Sequence, residues 1–253
     1  MKKIRKINNK SNQKAQLSVF AIIAFIIFGV VLVVIAVNKP NLNQKVHPEV
    51  IDLDSVIEGC VKQRTIDAIR LVGLQGGYIN PENYLETEFS NIGYGIYNGK
   101  DVFLSKNQLE KEIASYVEIT LPFCIEEDNF PEFQIVQGKA EASSKLKNNF
   151  VEITAKLPVA VAKADKSFTI ERDYKIEIPI RLGEIYNIAS EIIGKHNNDE
   201  YVDLTYLTEI NFDSIFIYHD ENTIIYSITD FDTKIDDIPY TFVFTVNFEN
   251  VDN

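Results

Sequence analysis

The sequence predicts an α+β protein: an N-terminal transmembrane helix followed by an ectodomain of amphipathic helices and antiparallel β-meanders. Three observations predict it. Residues 17–37 are an apolar run without a charge. Between residues 53 and 124 apolar side chains recur every three or four positions, and beyond Pro131 they recur at every second position. The first spacing gathers apolar groups on one stripe of a helix and the second on one face of a strand. With 45% apolar and 25% charged residues, the chain has the composition of one that folds.

Residues 17–37 contain 16 Ile, Leu, Val or Phe side chains among 21 residues, interrupted by Ser18 and Gly29. Such a helix is roughly 31 Å long, the thickness of a bilayer's hydrocarbon core. Insertion gains on the order of 5–10 kcal/mol. Lys2, Lys3, Arg5, Lys6, Lys10 and Lys14 precede it with no acid among them, and Lys39 and Lys45 follow closely. The positive-inside bias keeps the N-terminus cytoplasmic and sends the remainder outside. A cleaved secretory signal, with Val34 and Ala36 at the small-residue positions, is the competing reading. The formal charge is −12, and setting aside those six basic residues leaves −18 on the rest. That excess repels phosphate backbones, so nucleic acid is not an expected partner.

The division is therefore a basic leader at 1–16, the span at 17–37, a linker with Pro40 and Pro48 at 38–49, a helical cysteine-containing region at 50–130, and a β-rich region with one helix at 131–253. The first helix is predicted to open at Ser55, with Glu58 at capping-box spacing, and to end at Gly73. The second opens at Ser105 with Gln108 and is stopped by Pro122. Asn98-Gly99 between them marks a tight hairpin. Alternation at 151–157 and 174–180, around a turn near Ala164-Asp165, predicts antiparallel strands. A third helix carries Ile185, Ile188, Ala189, Ile192 and Ile193 and ends near Gly194. Strands follow at 210–219, 223–229 and 239–249, the last with Tyr240, Phe242, Phe244, Val246 and Phe248 on one face.

Lys14-Ala15-Gln16, directly before the apolar run, resembles the prepilin-type signal of archaeal type IV pilin-like proteins. The resemblance implies cleavage after Ala15 and a mature start at Gln16. Two residues depart from the filament-forming pattern: Phe20 stands where bacterial pilins carry an acid, and Pro40 interrupts a helix that pilins continue. An uncleaved anchor is the other reading. Gln75-Gly76-Gly77-Tyr78-Ile79, taken with Leu121-Pro122-Phe123-Cys124, resembles an uncharacterised group of single-span surface proteins from small-genome archaea. That resemblance implies a cysteine helix, a Gly-Gly turn, an aromatic loop and a second cysteine helix.

Cys60 and Cys124 are the only cysteines and both fall on the side assigned to the exterior. An oxidising compartment makes their pairing the default, with two separate buried thiols as the alternative. Neither has a second Cys or His two to five positions away, as structural zinc sites require, so no metal is expected. Gly93-Tyr94-Gly95 lacks the third glycine of a dinucleotide fingerprint, and no cofactor is expected. Asp230, Asp232, Asp236 and Asp237 read as a solvated turn, because they lack an EF-hand's glycine and glutamate. His47, His196 and His219 stand apart in sequence, and no catalytic motif recommends them. Tyr78, Tyr84, Tyr94 and Tyr97 read as packing against the helices or as a contact surface. The expected role is a non-enzymatic one: a membrane-anchored cell-surface protein acting structurally or by interaction, with the bilayer, other envelope proteins or its own copies as partners. An extracytoplasmic enzyme or accessory subunit is the alternative.

Overall fold

The computed structural model describes residues 48–125, 130–164, 166–196 and 202–248, with side chains from residue 53 onward. The predicted span at 17–37 lies outside these residues. Among those described, no helix is long and apolar enough to cross a membrane. The architecture is α+β with sheets rich in antiparallel pairs.

Helix α1 runs Pro48–Leu74. It therefore starts earlier than the Ser55 cap expected from sequence, and Ser55 lies inside it. Proline suits the first position of a helix, where a missing N–H costs nothing, so Pro48 begins the helix rather than belonging to the linker. The far end leaves through Gly76 and Gly77, at φ +68° and +98°, where the Gly77 N–H closes back on the Val72 carbonyl at 2.7 Å. That closure is the six-residue bond of a Schellman exit.

Three short strands follow: β1 (Tyr84–Glu86), β2 (Asn91–Tyr97) and β3 (Lys100–Asp101). Asn98 and Gly99 both take positive φ, as a two-residue hairpin loop requires. Helix α2 (Lys106–Thr120) starts where expected: the Gln108 side-chain oxygen accepts the Ser105 N–H at 2.9 Å and the Ser105 hydroxyl at 2.6 Å. Pro122 has no N–H to continue the ladder, and the chain tightens into a 3₁₀ turn, Leu121–Cys124.

The next six strands are β4 (Gln134–Gln137), β5 (Glu141–Leu146), β6 (Val151–Lys156), β7 (Val159–Lys163), β8 (Lys166–Ile170) and β9 (Asp173–Ile178). They form two three-stranded antiparallel sheets, laid end to end along the same three chain passes as a meander interrupted across its middle. One half is ordered β5-β6-β9 and the other β4-β7-β8. The break runs through Gly138, Pro158 and Glu171-Arg172. Pro158 cannot donate to a ladder, and its carbonyl instead accepts the Gly138 N–H at 2.7 Å.

Helix α3 (Leu182–His196) runs past Gly194, and a short helix α4 (Leu204–Glu209), not anticipated from sequence, is capped by Asp203. Strands β10 (Asp213–Tyr218), β11 (Thr223–Ile235) and β12 (Ile238–Asn247) complete a six-stranded sheet. Its order is β1-β2-β12-β11-β10, with β3 on β2 and the β12–β2 pair parallel. The sheet thus draws on both the 50–130 and the 131–253 stretches.

Two apolar cores result. In one, Ala68, Ile69 and Val72 of α1 meet α3 and the inner face of the sheet, where Phe242, Phe244 and Val246 are fully buried. In the other, Leu53, Ile57 and Val61 meet Val117 and Leu121 over the broken meander. Each of the two long helices α1 and α2 therefore serves both cores.

Candidate functional site

Cys60 and Cys124 are joined in a disulfide, with Cα atoms 6.1 Å apart and 64 positions between them in sequence. Cys60 lies midway along α1 and Cys124 ends the 3₁₀ turn. Both half-buried residues pack on the second core. Close by, Arg172 donates to Asp54 at 2.8 Å and Glu58 at 2.7 Å while stacking over the Tyr174 ring. The Tyr174 hydroxyl, pushed up to about 12 by burial and then by its bond to Asp54, also holds α1 to β9. The predicted cleavage residues Lys14, Ala15 and Gln16, and His47, lie outside the described residues.

The tyrosines around the Gly-Gly turn are mostly packed. Tyr78 donates to the Val102 carbonyl at 2.7 Å, and the Tyr94 and Tyr97 rings lie 4.9 Å apart. Gly93 and Gly95 sit on β2, not on a phosphate loop. A Cβ on Gly95 would stand 2.3 Å from the Ile193 side chain, so the glycine lets α3 approach the sheet.

The aspartates do not all lie in the solvated turn that the sequence predicts. Strand β11 does not end at residue 229 but continues to Ile235 through a bulge between Asp230 and Lys234. Asp230 is buried there, not solvated. Its carboxylate accepts Arg181 Nε at 2.8 Å, the Asp232 N–H at 2.9 Å and the Thr233 hydroxyl at 2.5 Å, and it pairs with Arg181 Nη2. Burial alone would raise its pKa, but Arg181, Thr233 and the bulge N–H outweigh burial and hold it below the ordinary value. The bulge explains the placement, since a bulged strand leaves N–H groups without ladder partners. Only Asp236 and Asp237 form the expected turn, both at positive φ. Among the described residues no group of three or more potential ligands is gathered to hold a metal.

His196, at the end of α3, places Nε2 2.5 Å from the Tyr226 hydroxyl in a shallow crevice with Lys195, Asp203 and Tyr206. The sequence held no signal for this pair, which a helix and a strand bring together over 30 positions. Asp203 is committed there to the Tyr206 N–H and to Lys195, each at 3.0 Å, which keep its carboxyl below the ordinary value.

The outer face of β10 is different in kind. Asp213, Ile215, Ile217 and His219 alternate onto it, and Ile215 and Ile217 are 54% and 58% exposed. No strand pairs beyond β10 among the described residues. The sequence predicts a strand over 210–219 but carries no sign that it forms an edge. Strand order is set by pairing partners far along the chain. No protein-family model, curated protein or solved structure matches the chain.

Proposed function

We propose that this is a membrane-anchored cell-surface protein with a structural or interaction role, its apolar segment 17–37 in the bilayer and its acidic domain outside. The observation that carries the reading is the Cys60–Cys124 bond, because protein disulfides persist in oxidising compartments and are rare in reducing ones. The charge partition in sequence agrees, with six basic residues before the span and a strongly acidic remainder after it. The prepilin-type tripeptide Lys14-Ala15-Gln16 extends the reading to a pilin-like subunit processed before Gln16. The crevice at His196 is the feature that favours an extracytoplasmic enzyme or accessory subunit instead, but its nearby carboxylate, Asp203, is already tied to Lys195.

The test is protease shaving of intact cells combined with intact-mass measurement of detergent-extracted protein. Degradation of the acidic domain without lysis is expected, with a mass lacking residues 1–15 if a prepilin peptidase acts. Protection of that domain until lysis, or extraction of the full chain without detergent, overturns the anchored reading. A full-length mass removes the pilin-like one.

A further inference from the structure

We propose that β10 is a self-pairing edge, through which two copies of the chain join across a two-fold axis into one continuous sheet. This deepens the interaction reading by naming the partner, a second copy.

The protein treats its sheet edges unequally. Along β5 the outward N–H groups of Ala142 and Leu146 each donate at 2.9 Å to a glutamate of α2, Glu118 and Glu110. Helix α2 covers that edge and takes up two of its outward N–H groups. Among the described residues, strand β10 has no such cover. The His219 N–H donates to the Thr223 carbonyl at 2.9 Å. Antiparallel ladders alternate, so the backbone groups of residues 213, 215, 217 and 219 face β11 and those of Ser214, Phe216 and Tyr218 face outward. The strand reads Asp-Ser-Ile-Phe-Ile-Tyr, with no lysine or proline to discourage pairing.

One register uses all the outward groups. Placing Phe216 opposite Phe216 of the second copy sets Ser214 against Tyr218 on either side, so three N–H and three C=O groups of each strand are satisfied. The same register fixes the side chains. On the outer face Ile215 of one copy lies against Ile217 of the other, twice over. Asp213 lies beside His219, so the only charge in the strand meets an imidazole donor. The flanking acids Asp220 and Glu221 fall opposite Phe212 and Asn211, so the chain's negative charge is not set acid against acid. Such an interface is isologous and closed, formed by strand addition.

The full-length chain in mild detergent is expected to sediment as a dimer. Ile217→Lys, on an exposed side chain outside both cores, raises the dimer dissociation constant by about tenfold or more. His219→Asp weakens the dimer by facing Asp213 with a second acid, and adding Asp213→Lys restores it. The pair Ile215→Cys and Ile217→Cys in one chain gives an interchain disulfide on a non-reducing gel. A monomer throughout the micromolar range overturns the proposal. So does a dimer indifferent to Ile217→Lys, or cross-linking of β10 in cells to a different envelope protein. Solubility without detergent bears on the anchor alone, so failure of the anchored reading is distinguishable from failure of the dimer.

Discussion

Replacing Cys60 and Cys124 together with alanine removes a cross-link between positions 64 apart. A loop of that length limits the unfolded chain by about 4 kcal/mol in the chain-entropy account. The structure adds to this rather than subtracting from it. Both residues pack on the second core, so truncation also removes some buried contact, and neither sulfur has a competing role to gain from release. A domain of this size has a stability of roughly 5–15 kcal/mol, so the loss is a large share of the total. The assay is urea unfolding of the double variant against the parent, each read with and without reductant. The parent is expected to lose about 4 kcal/mol on reduction, and the double variant to be indifferent to reductant. A parent whose unfolding free energy falls by less than about 1 kcal/mol on reduction refutes the claim that this bond limits the unfolded chain.

Two further substitutions test the packing. Asp230→Asn breaks the pair with Arg181, whose side chain is 18% exposed, and is expected to cost about 2–4 kcal/mol by thermal or chemical unfolding. Because the folded pKa of Asp230 is lowered, its contribution is fully present above the unfolded value of about 3.9 and fades as pH falls through the folded one. The gap between parent and variant should therefore close below about pH 4, and a gap constant down to pH 2 contradicts the assignment. Gly76→Ala places a Cβ 2.6 Å from the Gly93 carbonyl at φ +68° and should cost about 2–3 kcal/mol, since both the conformation and the space are against it. An alanine tolerated there without loss, measured by unfolding midpoint, overturns the account of the helix exit.

What was legible in the sequence was local. Ser105 and Gln108 cap α2 because the capping box depends on four adjacent residues, and Asn98-Gly99 turns because its φ angles are set within the loop. The alternation of Tyr240, Phe242, Phe244 and Val246 located a buried face because strand geometry has a fixed period. What was not legible depended on partners distant in the chain. Asp230 read as a surface turn because Arg181, 49 positions earlier, leaves no mark on the sequence around residue 230. The pairing of β2 with β12, parallel and about 150 positions away, has no local signature. Pro48 did carry a usable signal. Proline opens helices as readily as it interrupts them, and its neighbours in a polar stretch tipped the reading toward a linker.

The position of the disulfide also follows from how the helices are shared. Helices α1 and α2 each pass from the sheet core into the meander core, so a shift of either helix disturbs packing in both. Hydrogen bonds already fix α2 to the meander through Glu110 and Glu118, and the Tyr240 hydroxyl fixes the far half of α1 to the sheet through the Ile69 carbonyl at 3.2 Å. The near half of α1 is held to the meander by the partly exposed Arg172 and Tyr174 contacts with Asp54 and Glu58, and exposed ion pairs contribute little. A covalent link from Cys60 to the end of α2 therefore reinforces the burial of Leu53, Ile57 and Val61 at the place where the polar ties of α1 to the meander are partly exposed.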